Sequence, residues 1–151
     1  MDTKVKTVQA VYEAFGRGDI PAILDVVTDD VDWASEPAST IAPWHGLRRG
    51  KEALPGFFAA IAETLDVTEF TPLAFAASDT DVMAVIRFGF TVKDTGRSAT
   101  MDLHHWWRFR DDKITWARLY MEPVEQGGTD IQAAVKELYR PPQDAEGAEG
   151  R

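Results

Sequence analysis

The stretch DVMAVIRFGFTVK (residues 81–93) alternates two sets of side chains along its whole length. One set is uniformly apolar and the other includes an arginine, a glycine and a threonine. The apolar set consists of Val82, Ala84, Ile86, Phe88, Phe90 and Val92. Because side chains of a β-strand point to opposite faces at alternate residues, the pattern predicts a long strand with one face in a core.

Similar strands are predicted on both sides of this one. The residues Asp94-Thr95-Gly96 have the composition of a hairpin turn, and a strand over 99–110 follows them. A second turn leads into a last strand over 114–122, and a further strand over 67–77 precedes the central stretch. Together these segments predict four long antiparallel strands in sequence.

The N-terminal half has helical spacing instead. Apolar residues recur at three and four positions over 3–15, from residue 20 to residue 27, and over 51–65, which predicts three helices. A short strand is predicted over 31–36, followed by a loop over 37–49 that carries Trp44 and His45. Helices that precede a run of strands indicate an α+β fold, with the helices on one face of the sheet.

The chain of 151 residues has the length of one domain. We expect a single domain over residues 1–140, with a short last helix at 131–138. Residues 141–151, PPQDAEGAEGR, have the composition of a disordered tail.

The charge and the cysteine content exclude several classes of function. The formal net charge is −9, which disfavours nucleic acids and anionic lipid surfaces as partners. The absence of cysteine excludes disulfides, thiolate nucleophiles and Cys-based metal sites. No apolar run is long enough for a signal peptide or a membrane span, so we expect a cytoplasmic protein without membrane contact. No GxGxxG, Walker A or HExxH motif occurs, and we expect neither a cofactor nor a metal.

Several short runs, taken together, resemble a known family over residues 4–123. They are Gly18-Asp19-Ile20, Thr28-Asp29-Asp30-Val31 before Trp33, Arg49-Gly50-Lys51-Glu52, Thr95-Gly96-Arg97, and Trp107-Arg108-Phe109 with Asp112-Lys113-Ile114. Their order and spacing are similar to those of the NTF2-like superfamily, in particular its SnoaL-like and ketosteroid isomerase-related branch.

The resemblance implies a cone-shaped α+β barrel, in which a curved, mostly antiparallel sheet packs against three N-terminal helices and encloses a pocket. It also implies a homodimer that forms through the convex faces of two sheets. Trp106, Trp116 and Tyr120 fit this expectation, since they fall on the face opposite the pocket and form a broad aromatic surface.

The catalytic positions implied by the resemblance carry altered residues. The tyrosine position of ketosteroid isomerases falls on Val11, with Tyr12 one residue out of register. The base position falls on Ser35 or Glu36, and the oxyanion position falls on His105. We therefore do not expect steroid isomerase activity of that type. Limonene epoxide hydrolase activity is disfavoured too, because the penultimate strand has no inward Arg-x-Asp pair.

His105 is the candidate acid/base residue. It shares a strand face with Met101, Leu103, Trp107 and Phe109, and an imidazole suits proton transfer near neutral pH. Cyclases and dehydratases of the resembled family also place an inward histidine near a carboxylate. The alternative is a buried histidine that only satisfies its own hydrogen bonds. His104 points to the opposite face, so the two histidines cannot chelate one metal ion.

Glu36 is the candidate carboxylate partner of His105. Strict alternation along the first strand would place Ser35 inward and Glu36 outward, whereas a bulge would reverse them. His45 in the loop can be a ligand contact or a solvated side chain. The expected pocket wall is Trp33, Trp44, Phe58, Phe88, Phe90, Trp107, Leu119 and Met121, and each of these residues also suits an ordinary core.

These features predict a cofactor-free enzyme that performs acid/base chemistry of isomerase, cyclase or lyase type on an apolar aromatic or polyketide-like substrate. The alternatives are a non-catalytic protein that binds a small apolar ligand, and an interaction domain whose pocket is filled by its own side chains. A pocket of about 300 Å³ or more would support a ligand.

Overall fold

The computed structural model describes residues 2–39 and 42–121. The elements in chain order are α1 Thr3–Arg17, α2 Ile20–Leu24, β1 Val27–Ser35, β2 Gly46–Arg49, a 3₁₀ turn Lys51–Ala53, α3 Leu54–Thr64, β3 Leu65–Ala77, β4 Asp81–Val92, β5 Ser98–Arg110 and β6 Lys113–Met121. The predicted helix at 131–138 and the predicted tail lie outside the described residues.

The strands form one six-stranded sheet in the order β2-β1-β6-β5-β4-β3. Neighbours pair antiparallel except β1 and β6, which are parallel. The sheet is curved and mixed, and it does not close into a barrel. The predicted α+β fold of the NTF2-like type is therefore confirmed. Strand β2 lies within the segment predicted as a loop, and its four residues are too few to show an alternating pattern.

Helix α1 is bounded by residues suited to its two ends. The side chain of Asp2 accepts a hydrogen bond from the backbone N–H of Lys4 at 2.7 Å, as an N-cap does. Gly18 ends the helix with a φ of 71°, in the left-handed region that costs glycine little. Between these caps, one helix face is buried against the sheet, including Val8 and Tyr12.

The core lies between the helices and the inner face of the sheet. The apolar set of β4 is buried, whereas Met83 on the opposite face is 49% exposed. On β5 the inward residues are the odd-numbered ones, with His105 and Trp107 both buried. The alternation predicted for both strands is confirmed.

On the outer face, the rings of Trp106 and Trp116 pack edge to face at 4.7 Å between centroids. The guanidinium of Arg108 lies over both rings, and that of Arg118 lies 4.3 Å from the centroid of Trp116. Asp81 accepts hydrogen bonds from Arg108 and from the indole of Trp106. Arginine side chains thus cover part of the aromatic surface that the sequence predicts on this face. No helix within the described ranges is long and apolar enough to span a membrane.

The two glycines at the end of α1 provide a test of this capping. We expect Gly18→Ala to lower the free energy of unfolding by about 1 kcal/mol, because alanine disfavours a positive φ. Gly16 lies inside the helix, and a Cβ added there would meet no atom within 4 Å. Gly16→Ala should therefore raise the free energy of unfolding by roughly 0.5–1 kcal/mol. Urea denaturation of both variants measures the difference, and equal effects would contradict the left-handed cap.

Candidate functional site

An apolar cavity lies between α1, α3 and the inner faces of β1, β5 and β6. Its volume is about 80 Å³. That is below the roughly 300 Å³ that a drug-sized ligand requires. Its wall is apolar except for a few polar groups, among them Tyr12, Ser35 and His105.

The wall contains most of the residues expected from the sequence. They are Trp33, Trp44, Phe58, Phe88, Trp107, Leu119 and Met121. Phe90 does not line the cavity; it is buried behind Phe88, with 5.0 Å between ring centroids. The reason is its position two residues further along β4, toward the end that pairs with the start of β3.

The central polar feature is a chain of hydrogen bonds between Trp107, Tyr12 and His105. The indole N–H of Trp107 donates to the Tyr12 hydroxyl, with 3.1 Å between Nε1 and Oη. The same hydroxyl lies 2.8 Å from Nδ1 of His105. All three side chains are buried, so this chain joins helix α1 to strand β5 inside the cavity wall.

Burial keeps both titratable members of the chain uncharged. It lowers the pKa of the His105 imidazole to about 3, with a further lowering by neighbouring His104. It also raises the pKa of the Tyr12 phenol far above its usual range, against a smaller lowering by the Trp107 hydrogen bond. The site therefore holds a neutral phenol and a neutral imidazole at physiological pH.

Only one assignment of donors and acceptors along this chain lets the Tyr12 hydroxyl donate its hydrogen to a member of the chain. The Trp107 N–H can only donate, so the phenol oxygen accepts from it and the O–H donates to Nδ1 of His105. The imidazole hydrogen then resides on Nε2, on the other side of the ring. His105 therefore has a neutral N–H at Nε2 that can donate a hydrogen bond.

The structure does not bring Glu36 and His105 together. Ser35 is the inward residue at the end of β1 and lines the cavity. Glu36 is half-buried, with a φ of 41°, and its carboxylate accepts a hydrogen bond from the backbone N–H of Met121. Burial raises the pKa of this carboxyl, and the Met121 N–H partly offsets the rise. Glu36 thus holds the end of β1 against β6, beside the cavity.

The other two histidines lie away from the hydrogen-bond chain. Nδ1 of His45 lies 2.9 Å from the Ser39 hydroxyl in the loop before β2, and burial lowers its pKa to about 4. His104 is exposed on the opposite face of β5 from His105, as alternation predicts. Among the described residues, no group of three side chains has the composition of a metal site.

A larger groove of about 650 Å³ lies outside the cavity, between α1, α3 and the start of β3. The side chains of Phe15, Phe58, Ile61 and Phe70 line both spaces. Phe15 and Phe70 are only partly buried, and their ring centroids are 5.0 Å apart. These two rings therefore belong to the wall that separates the two spaces.

Sequence reasoning missed Tyr12 as the partner of His105. The register of the family comparison placed the tyrosine position on Val11, although both residues line the cavity. A weaker signal was present, since Tyr12 continues the buried stripe of Val5 and Val8 and is its sole member with a polar end. A hydroxyl at such a position needs a buried partner.

Comparison with known proteins places the chain in a family. The sequence profile of the SnoaL-like domain matches residues 8–117. No curated protein matches the chain. Among solved structures, an NTF2-like protein of unknown function from Burkholderia pseudomallei is 23% identical, with a TM-score of 0.78 over 92% of this chain and 98% of the other.

Two further structures are similar. TerC, co-crystallised with polyporic acid, is 22% identical with a TM-score of 0.75, over 91% of this chain and 98% of its own. A candidate polyketide cyclase from Xanthomonas campestris is 20% identical with a TM-score of 0.68, over 90% and 96%. At these identities the likeness shows the fold alone.

The buried imidazole predicts a specific dependence of stability on pH. Between pH 6.5 and about 3, the unfolded chain binds a proton at His105 that the folded chain does not. The free energy of unfolding should therefore fall as the pH falls through this window, by about 2 kcal/mol between pH 7 and pH 5 from this residue. Urea denaturation of the wild type and of His105→Leu should show a shallower dependence in the variant. His45 contributes in the same window to both proteins, so equal slopes would contradict the prediction.

Proposed function

Since the chain belongs to the SnoaL-like family, we propose that it binds a small apolar carbonyl compound of aromatic or polyketide type and moves a proton on it by cofactor-free acid/base chemistry. Structural neighbours described as candidate polyketide cyclases, from Xanthomonas campestris and Mesorhizobium loti, and as a candidate isomerase support this class of reaction. The observation that carries the proposal is the buried Tyr12–His105 pair in an otherwise apolar cavity.

In the proposed reaction, His105 stabilises negative charge on the ligand's carbonyl oxygen. A neutral imidazole whose N–H meets that oxygen strengthens its hydrogen bond as the carbonyl becomes an enolate. Tyr12 keeps Nδ1 occupied, which holds the ring orientation and the hydrogen on Nε2. The apolar wall excludes water, which makes the interaction stronger than it would be in solution.

Glu36 is the proposed proton acceptor. Leu119 on β6 is paired with Ser35 on β1 and with His105 on β5. The Cα atoms of Ser35 and His105 are therefore about 10 Å apart. A ring compound beside Ser35 would have its carbonyl at His105, and the Glu36 carboxylate would have to turn from the Met121 N–H toward the cavity to reach a C–H group of that compound. The C–H electrons would move onto oxygen while the proton passes to the carboxylate, and in a β,γ-unsaturated ketone the return of that proton to the γ-carbon completes an isomerisation. The raised pKa of Glu36 favours the transfer.

A non-catalytic binding protein is the second candidate. It is favoured by two observations: the hydrogen-bond partner of His105 is a phenol rather than a carboxylate, and the Glu36 carboxylate is engaged by a backbone N–H. In that case the pair would recognise a ligand oxygen without moving a proton. The two candidates differ in whether a C–H bond of the ligand is broken.

The α-protons of 2-indanone provide a test that needs no natural substrate. Their exchange into D₂O, followed by ¹H NMR, reports enolisation directly. We expect the wild type to accelerate exchange, with losses of roughly 10²-fold for Glu36→Gln and for His105→Leu. Tyr12→Phe should cause a smaller loss, because it disturbs only the orientation of the imidazole.

His104→Leu is the matched control, since His104 is the exposed neighbour on the opposite face. It should exchange 2-indanone as fast as the wild type. Binding of 2-indanone without accelerated exchange would favour the second candidate. Equal exchange by Glu36→Gln and the wild type would remove Glu36 from the mechanism.

We also propose that the outer face of the sheet forms a homodimer. Met83, Trp106 and Arg118 are paired in one row across β4, β5 and β6, and Met83 and Tyr120 are 49% and 38% exposed. The face thus combines exposed apolar side chains with the aromatic and arginine cluster, a composition typical of interfaces.

A charge in this face should separate the subunits. We expect Met83→Glu to shift the protein from dimer to monomer in sedimentation velocity, because it buries an unpaired carboxylate in the interface. Leu47→Glu, at a similarly exposed site on β2 at the sheet edge, should leave the dimer intact. A wild-type protein that sediments as a monomer would contradict the proposal.

A further inference from the structure

Two aromatic rings form the outer part of the wall between the inner cavity and the outer groove. Phe15 on α1 and Phe70 on β3 line both spaces, and their ring centroids lie 5.0 Å apart. Phe58 and Ile61 on α3 also line both spaces, but these two side chains are buried, whereas Phe15 and Phe70 are only partly buried. The two outer rings are therefore the less tightly enclosed part of this wall.

The position of Phe70 in the sheet favours movement of its side chain. Among the described strands, β3 lies at an edge and pairs with β4 alone. The register of this pair shifts on both sides of Phe70, between Val67 and Glu69 and between Pro72 and Ala74. An edge strand with such irregularities is held by fewer hydrogen bonds than a central strand. We therefore expect Phe70 to be the member of the wall that is least strongly held.

The ring of Phe70 also lies close to the polar groups of the cavity. The Tyr12 ring packs edge to face on Phe70, with 5.3 Å between centroids, and its centroid is 5.6 Å from that of His105. Phe70 is thus separated from the imidazole by one aromatic ring. A ketone whose oxygen meets His105 would bring a second ring of its own to Phe70.

Beyond Phe70, the groove combines apolar side chains with negative charge. Leu65 and Val67 belong to its wall, and the charged residues of its lining are Asp66 and Glu69, both acidic and exposed. Its volume of about 650 Å³ is within the range of small-molecule sites. The groove therefore suits a neutral apolar group and disfavours a carboxylate or a phosphate.

We infer that Phe70 is a specificity-determining residue, which admits an apolar extension of the ligand from the cavity into the groove. The inference rests on the proposed function and narrows its substrate class to neutral ketones that carry a second apolar ring. The carbonyl ring occupies the cavity, Phe15 and Phe70 move apart, and the second ring lies between them in the groove. A ketone with a single ring leaves both side chains in place.

Cyclohexanone, 4-phenylcyclohexanone and 4-(4-oxocyclohexyl)benzoate form a matched series, in which the second compound adds an apolar ring and the third adds a charge to that ring. We expect the wild type to bind 4-phenylcyclohexanone roughly tenfold more tightly than cyclohexanone, because the groove removes the added ring from water. The benzoate should bind more weakly than 4-phenylcyclohexanone. Added salt should reduce this difference, because it screens the charges of Asp66 and Glu69.

Two substitutions of Phe70 should change the preference for the larger ketone in opposite directions. Phe70→Ala removes the ring that the ligand displaces, so the ratio of the affinities for 4-phenylcyclohexanone and cyclohexanone should rise roughly tenfold above that of the wild type. Phe70→Trp fills the opening, and the ratio should fall to about one. Isothermal titration calorimetry measures both ratios, and ratios equal to that of the wild type would overturn the inference.

Phe75→Ala is the matched control. Phe75 is a partly buried ring of the same strand, and its centroid lies 6.2 Å from that of Tyr12. It lines neither the cavity nor the groove. The ratio of affinities in this variant should equal that of the wild type, and a ratio raised as in Phe70→Ala would assign the effect to the packing of Tyr12 and overturn the role of Phe70.

Methyl NMR spectra of the wild type locate the second ring without any substitution. Of the two spaces, Val11 lines only the cavity and Val67 only the groove. Both ketones should shift the Val11 methyl signals, and 4-phenylcyclohexanone alone should shift those of Val67. Shifts at Val11 without a shift at Val67 would overturn the role of Phe70 and leave the proposed function standing. Absence of any shift at Val11 and at the His105 ring would contradict the proposed binding mode itself, and the inference with it.

Discussion

The hydrogen bond between the Tyr12 hydroxyl and Nδ1 of His105 joins the first helix to the fifth strand inside an apolar wall. Both side chains are buried, so each gains from having the other as its hydrogen-bond partner. Trp107 completes the arrangement by donating to the same hydroxyl. Packing of the helix against the sheet thereby also sets the orientation and the tautomer of the imidazole. The protein's candidate chemistry follows from this constraint.

Burial changes what a histidine can do. In water an imidazole exchanges protons near neutral pH, and this property made His105 a candidate acid or base. In this cavity desolvation holds it neutral, so it is better suited to donate a hydrogen bond to a developing oxyanion than to accept a proton. In the proposed mechanism, proton transfer falls to Glu36, a carboxyl whose pKa is raised by burial.

Different side chains determine the volume of the cavity and its polarity. A space of about 80 Å³ is closed on the side of the outer groove by Phe15 and Phe70, two rings that are only partly buried. The buried imidazole of His105 lies beside Trp107, with 5.8 Å between ring centroids. In the proposed binding mode, a ligand would displace the outer rings to make room for its bulk, and its carbonyl oxygen would meet the imidazole. Shape and polarity are thus controlled by different side chains.

Alternation along the chain was enough to predict much of this protein. The period-two pattern of 81–93 and 99–110 identified the strands and the inward face that carries His105, because side-chain direction in a strand is a local property. The same argument placed Ser35 inward and Glu36 outward unless a bulge intervened, and the structure has the regular alternation there. The resemblance of short residue runs predicted the family and the helix-on-sheet fold.

Only the tertiary structure decided which residues meet. Tyr12 is 93 positions from His105 in the chain, and a shift of one residue in the family register was enough to hide the pair. Other features also depend on segments that are distant in sequence. They include the parallel pairing of β1 with β6, the indole N–H of Trp33, which is unpaired within the described residues, and the arginine side chains that cover Trp106 and Trp116. Local sequence reports the direction of a side chain, whereas its partners are set by how the whole chain packs.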